Sequence, residues 1–274
     1  MDAAFLADMS RIAIGGPDAE DFLQNLITAD LENLEVGKAA PGALLTPQGK
    51  IMFFFMISRE GDGFSIEIET AQADAFVKRL TMYRLRAKVD IGTPEVGGTT
   101  VSAAQAEGAV ADLRFEKAGI ALYRKPGGAG ERDAYDALRA EVGIAEAGFD
   151  FTLGDAFPHD IMLERTAGVS FKKGCYVGQE VVSRMQHRST ARRRVVLVSA
   201  DLPLPPSGTE IVAGGKVCGT LGTVSWMRGL AIARIDRIGA AMAAGDVVMA
   251  GDLQVRVELP SWSGIEFPVN SSEE

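Results

Sequence analysis

Residues 169–184 read VSFKKGCYVGQEVVSR, the stretch from which the rest of the chain is best read. Lys172 and Lys173 stand directly before Gly174 and Cys175, and from Gly178 the pattern becomes that of a helix running to Met185. A thiol beside ammonium groups and close to a helix N-terminus has its thiolate favoured, because the lysines and the positive end of the helix dipole both stabilise negative sulfur. The other reading of Cys175 is a small buried hydrophobe, which is the commoner fate of a lone cysteine. Spacing alone leaves both open.

Upstream, Arg11–Ile14 reads as a short strand, and Gly15-Gly16 before Pro17 suits a turn into a helix. Phe22, Leu23, Leu26 and Ile27 line one face of that helix, and Thr28 and Asp30 close it. After Ala43–Leu45 and a turn at Pro47–Gly49, the run IMFFFMI at 51–57 is continuously apolar, which predicts a strand covered on both faces. A turn at 61–63 leads to FSIEIE, whose alternation predicts a strand with one wet face, hairpinned to the first. A helix over 73–85 follows, with Tyr83 and Arg86 at its end. Strand, helix, two strands, helix, strand over residues 11–91 predicts an α+β, split-βαβ arrangement.

Downstream of this, PEVGGTT at 94–100 reads as a loop, and 132–143 as a helix with Tyr135, Leu138 and Val142 on one face, ended by Gly143. Past the proline-rich break at 203–208 the character changes to short β-type segments at 209–213, 216–225, 229–235 and 247–259. They predict a small β-barrel or sandwich. The last residues, VNSSEE, read as frayed.

Composition narrows the function classes. With 274 residues and 47% hydrophobic content the chain can fill a real core. A formal charge of −9 opposes general binding to nucleic acid, which rewards basic surfaces. Two cysteines and two histidines, with no CxxC or HExxH spacing, predict reduced thiols and no permanent protein-ligated metal. Neither a dinucleotide fingerprint nor a GxxxxGK[ST] phosphate loop occurs. The opening MDAAFLADMSR lacks the features of a signal peptide, and the longest apolar run is too short to cross a bilayer as a helix. A cytoplasmic protein without membrane contact is expected.

Lys173–Glu180, KGCYVGQE, matches the KGCYxGQE signature of the YgfZ family, and further boxes resemble that family in the same order: IGGPDAEDFLQNLITADL, LLTPQGKIMF, YRLRAKV, DALRAEVGI and FPHDIMLERTAGVSF. The resemblance covers roughly residues 10–260. It implies the fold of the glycine-cleavage T-protein: a folate-binding body of two intertwined ferredoxin-like subdomains over 1–194, a C-terminal barrel over 195–262 and a tail over 263–274. It also implies tetrahydrofolate or another reduced folate in a central cavity, and a role in iron-sulfur cluster assembly or repair, and through it in tRNA modification. The implied partners are iron-sulfur assembly proteins or client enzymes, with no direct nucleic-acid contact.

On the same footing Cys175 is the residue on which function depends, as a redox-active thiolate, a transient cluster ligand or the carrier of a folate-derived adduct. The candidate folate contacts are Lys173, Tyr176, Gln179, Glu180, Asp112, Arg114, Tyr83 and Arg86. Gln179 and Glu180 have a second reading as helix-start caps, and Asp112-Leu-Arg114 as a structural salt bridge. Where T-proteins carry the carboxylate that serves methylene transfer, this chain has Phe53, and a phenyl ring cannot take part in acid–base catalysis. No GYTGE-like box occurs either. An aminomethyltransferase or other folate-dependent one-carbon transferase is the alternative function.

Arg184, Arg188 and Arg192 fall four apart, with His187 among them and Arg193 and Arg194 following. If the helix continues, three share a face, either as an anchor for the folate glutamate tail or RNA, or as a solvated basic surface. Cys218, in a glycine-rich hairpin, reads as core, and His159 has no nucleophile near it in sequence.

Overall fold

The computed structural model describes residues 3–188 and 191–268, so the end expected to fray lies outside the described residues. Two compact units form, one from the residues up to Ala134 with Leu163–Ser183, the other from Tyr135–Met162 with Arg184 onward.

The first unit contains β1 (Ala4–Leu6), β2 (Met9–Gly15), α1 (Ala19–Gln24), β3 (Lys38–Leu45), β4 (Ile51–Glu60), β5 (Gly63–Glu69) and α2 (Thr70–Arg84). It continues with β6 (Asp90–Ile91), β7 (Glu95–Val96), β8 (Thr99–Ser102), β9 (Val110–Asp112), α3 (Leu113–Lys117) and β10 (Tyr123–Pro126). Its strands make one sheet in the order β1-β8-β10-β9-β3-β4-β5-β2-β6, with β7 also paired to β2. Because β5 is antiparallel to both β2 and β4, those two run the same way with β5 inserted between them. That is the split βαβ expected from the sequence.

The apolar run explains why the helices lie where they do. Ile51, Phe53, Phe55 and Ile57 of β4 are buried, and Phe76 of α2 meets Phe53 edge-on at 5.3 Å and Phe55 at 5.1 Å between ring centroids. Each such side chain contributes about 1.5–3 kcal/mol by leaving water.

The structure departs from the sequence pattern in three places. First, α1 has only six residues, with Asp18 rather than Pro17 preceding it, and Leu26 and Ile27 lie beyond its end. Second, PEVGGTT is not a loop: it holds β7 and the start of β8, because β8 bonds both β1 and β10 and so buries Thr99. Third, α2 stops at Arg84, which leaves Arg86 off the helix.

The second unit is built around a closed barrel, β11-β14-β13-β12-β15-β16. It receives α4 (Asp133–Val142) almost whole and the end of α5 (Gln179–His187), then β11 (Arg193–Ser199), β12 (Glu210–Ala213), β13 (Lys216–Ser225), β14 (Arg228–Arg234), α6 (Ile235–Ala243), β15 (Val248–Ala250) and β16 (Leu253–Glu258). Neither β11 nor α6 was expected from the sequence.

Residues 135–162 pack with this unit, although the sequence reading kept them with the body. The reason is a buried polar anchor: Arg139 Nη1 donates to Asp150 Oδ2 at 2.6 Å and to Ile144 O at 3.1 Å, and its Nη2 donates to Asp136 Oδ1 at 2.8 Å and Thr223 Oγ1 at 2.9 Å. Thr223 N donates to Asp150 Oδ1 at 2.7 Å, and Trp262 Nε1 to Val142 O at 2.8 Å. On α4 it is therefore Arg139, not Leu138, that joins Tyr135 and Val142 in the interior. Among the described residues no helix is long and apolar enough to cross a membrane.

Candidate functional site

Three stretches distant in sequence meet around the 169–180 segment, all within the first unit. From the chain leaving α1, Thr28 N donates to Ala43 O and Thr28 Oγ1 accepts from Ala43 N, each at 3.0 Å, which clamps residues 27–30 to β3. Ser170 N donates to Thr28 O at 3.0 Å. Its hydroxyl accepts from Lys172 N and Lys173 N at 3.3 and 3.2 Å, folding the chain back on itself. Lys173 Nζ then donates to Ile27 O at 2.8 Å and Ala29 O at 2.7 Å.

The third stretch is the turn joining β3 to β4. Gly49 and Gly178 both have positive φ, +80° and +79°, and each lies against the other's segment. A Cβ on Gly178 would stand 2.5 Å from Thr46 O and one on Gly49 2.9 Å from Val181 Cβ, so neither position has room for a side chain. Glycine serves here for conformation and for closeness at once.

Between these anchors the loop carries its chemistry. Gln179 N donates to Tyr176 O at 3.2 Å and Gln179 Nε2 to Gly174 O at 3.4 Å, closing residues 174–179 beneath an exposed Cys175. Tyr176 turns inward; its ring is buried, its Oη has no hydrogen-bond partner among the described residues, and burial pushes its phenol up to about 12. Lys173 Nζ sits 5.3 Å from the centre of that ring. Burial lowers the Lys173 amine to about 8, against the pull of Asp30 and Glu32.

Asp30 is the polar hub of the site. It accepts from Gln24 Nε2 at 3.0 Å and Asn33 Nδ2 at 2.9 Å, and Ser170 Oγ lies 3.4 Å away. Burial raises its carboxyl, but the bonds from Gln24 and Asn33 and the charge of Lys173 outweigh this and leave it below the ordinary range. Sequence reasoning saw Thr28 and Asp30 only as the end of a helix. Two polar residues directly after an apolar helical face were the signal available.

The remaining expected contacts lie elsewhere. Asp112, wholly buried, caps α3 through Arg114 N at 3.0 Å and binds Arg114 Nη2 at 2.7 Å and Arg124 Nη1 at 3.0 Å. Arg124 also bonds Glu67. Burial raises the Asp112 carboxyl, and the two guanidinium groups more than offset this. This network braces α3, β9, β10 and β5 to one another. Tyr83 is half-buried against the α1–α2 core, Arg86 is exposed, and Glu180 is exposed in the first turn of α5. Phe53 is core, as its contact with Phe76 requires.

In the second unit His159 is fully buried, with Nε2 3.1 Å from Gln186 Oε1 and its carbonyl accepting from Arg194 Nη1 at 2.6 Å. Arg193 Nη1 pairs with Asp155 at 3.3 Å. The expected face of three arginines does not form, because α5 ends at His187 and Arg192 comes after it. Cys218 is buried in β13. Among the described residues no group of three His, Cys, Asp or Glu could hold a metal ion.

The arrangement can therefore present one exposed sulfur on a loop clamped from beneath, beside a buried phenol and an amine of lowered basicity. It has no carboxylate at the Phe53 position with which to move a proton.

Residues 192–265 match the family described as CAF17, C-terminal beta-barrel domain. The iron-sulfur cluster assembly factor IBA57 homolog, mitochondrial, of Pyricularia oryzae is 30% identical over 71% of this chain, which spans only 57% of that protein. The tRNA-modifying protein YgfZ of Vibrio vulnificus is 26% identical over 76% of this chain and 72% of its own length. Among solved structures, the glycine cleavage system aminomethyltransferase T from Bartonella henselae superposes with a TM-score of 0.74 at 14% identity, over 97% of this chain and 86% of its own. That likeness establishes the fold.

Proposed function

Since the chain belongs to the YgfZ/IBA57 family and has the T-protein fold, we propose that it is a tetrahydrofolate-binding accessory factor for iron-sulfur cluster assembly or repair, and thereby for tRNA modification. The observation that carries this reading is the exposed Cys175 on a loop fixed by Lys173, Gly178 and Gln179. A sulfur so presented, once its proton has passed to solvent, is a ligand for a cluster in transit, and the loop beneath it needs no rearrangement to offer it. The cluster is cargo here.

A reduced folate fits the residues present for binding but not for transfer. Tyr176 Oη has no hydrogen-bond partner among the described residues, while Phe53 supplies no carboxylate for acid–base work on a folate nitrogen. Lys173, Tyr176, Gln179 and Glu180 are the proposed neighbours of the folate. Asp112 and Arg114 are committed to each other and to Arg124, so they act as support. The cytoplasm is taken as the setting, and assembly proteins or client enzymes as partners.

The test pairs two measurements on Cys175→Ala. Tetrahydrofolate titrated calorimetrically should bind the variant as it binds the parent, and the variant should fail to restore iron-sulfur enzyme activity in cells lacking the protein. Full restoration would refute the role of the thiol, and absence of heat with the parent protein would refute folate binding.

A further inference from the structure

The end of α2 and the turn after it form a strongly basic piece of surface in the first unit. From Ala75 to Val89 the chain has five cations, Lys78, Arg79, Arg84, Arg86 and Lys88, and no carboxylate, in a protein whose formal charge is −9. Among the described residues Lys78, Arg79, Arg86 and Lys88 make no ion pair. Arg84 only reaches Val89 O, at 3.4 Å. The nearest acids in sequence are Asp74 and Asp90 at the flanks; the fold also brings up Asp18, whose Oδ2 already accepts from Lys88 N at 2.7 Å.

At the centre of these cations two apolar side chains stand in water: Met82 is 61% exposed and Leu85 is 89% exposed. Leu85 is also held in an awkward conformation. Ala87 N donates to Arg84 O at 2.8 Å, and Leu85 has φ 46° and ψ −104°, the first central position of a type II′ turn, which glycine ordinarily fills. A leucine at a glycine position, pointing into solvent and flanked by two arginines, does nothing for the fold. Strain kept in that way belongs to a surface that something else uses.

We infer that Arg84-Leu85-Arg86, with Met82, Lys78 and Lys88 around it, is a docking surface for an acidic, apolar-centred segment of a partner protein. Apolar side chains within a basic rim are the anatomy of a protein interface, in which Met and Arg are enriched. Charge complementarity selects an acidic partner. Nucleic acid would reward the cations but find no use for Leu85 and Met82. A membrane surface would gain little from two side chains, when even one myristoyl chain anchors only marginally.

The full chain should bind a fluorescein-labelled peptide alternating glutamate with leucine, read by anisotropy. Arg84→Glu/Arg86→Glu should weaken that binding by roughly tenfold or more. Leu85→Gly, which suits the turn better, should leave the melting temperature unchanged or raised while weakening the peptide by roughly tenfold, the worth of one buried apolar side chain. The proposal is overturned if the parent does not bind the peptide or if Leu85→Gly binds it as the parent does. It is equally overturned if polyglutamate, single-stranded RNA or phosphatidylserine vesicles bind more tightly than the mixed peptide.

Discussion

Lys173 shows how far a single side chain can depart from what its neighbours in sequence suggest. The string KKGC reads as ammonium beside thiol, yet Lys173 spends two of its hydrogen bonds on carbonyls more than a hundred residues earlier in the chain. The motif was legible because it is local, whereas these partners exist only in the fold. The amine titrates near 8 in the folded chain against 10.5 when unfolded, so between those values the unfolded state binds more protons and stability from this group rises with pH. Below about 8 the burial penalty is present in full. Urea unfolding of the parent and Lys173→Met at both ends of that window should show the parent gaining on the variant as pH rises. Asp112 works in the same direction over a more acidic window: its carboxyl is held below 3.8, so its stabilisation is complete at neutral pH and is lost as pH falls through its folded value. Asp112→Ala removes the carboxylate shared by two buried guanidinium groups and should cost about 3–5 kcal/mol in denaturant unfolding.

For whole elements, legibility followed hydrophobic patterning. The hairpin of β4 and β5 and the helix α2 were readable because their apolar residues are numerous and regularly placed. Strands β7 and β8 were hidden by Gly97 and Gly98, and they exist because β1 and β10 offer pairing partners that composition does not announce. The helix α6 lay in a glycine-rich region read as all β, although its buried Ile235, Ile238 and Ala241 recur at helical spacing. Two substitutions test the packing described. Phe76→Ala empties a site shared with two phenylalanines and should destabilise by about 3–5 kcal/mol in thermal or chemical unfolding. Gly178→Ala places a methyl group against Thr46 O with φ at +79°, and should cost on the order of 1–3 kcal/mol while leaving far-ultraviolet circular dichroism nearly unchanged.

At the scale of the molecule, the chain passes from one unit to the other after Ala134, Met162 and Ser183, so neither unit is a continuous piece of sequence. This was the least legible feature, because the polar anchor at Arg139 joins residues 84 positions apart. A barrel fragment starting at Arg184 would lack Arg139 and Asp150, leaving Thr223 without its partners. Such a fragment should melt well below one in which residues 135–162 are joined ahead of it, as scanning calorimetry would show. The two sulfurs of the molecule are unequal, Cys218 buried within the barrel and Cys175 open to solvent. A maleimide dye or nitroxide should accordingly attach to the unmutated chain at a single point, turning the signature loop into its own reporter when a ligand or partner arrives.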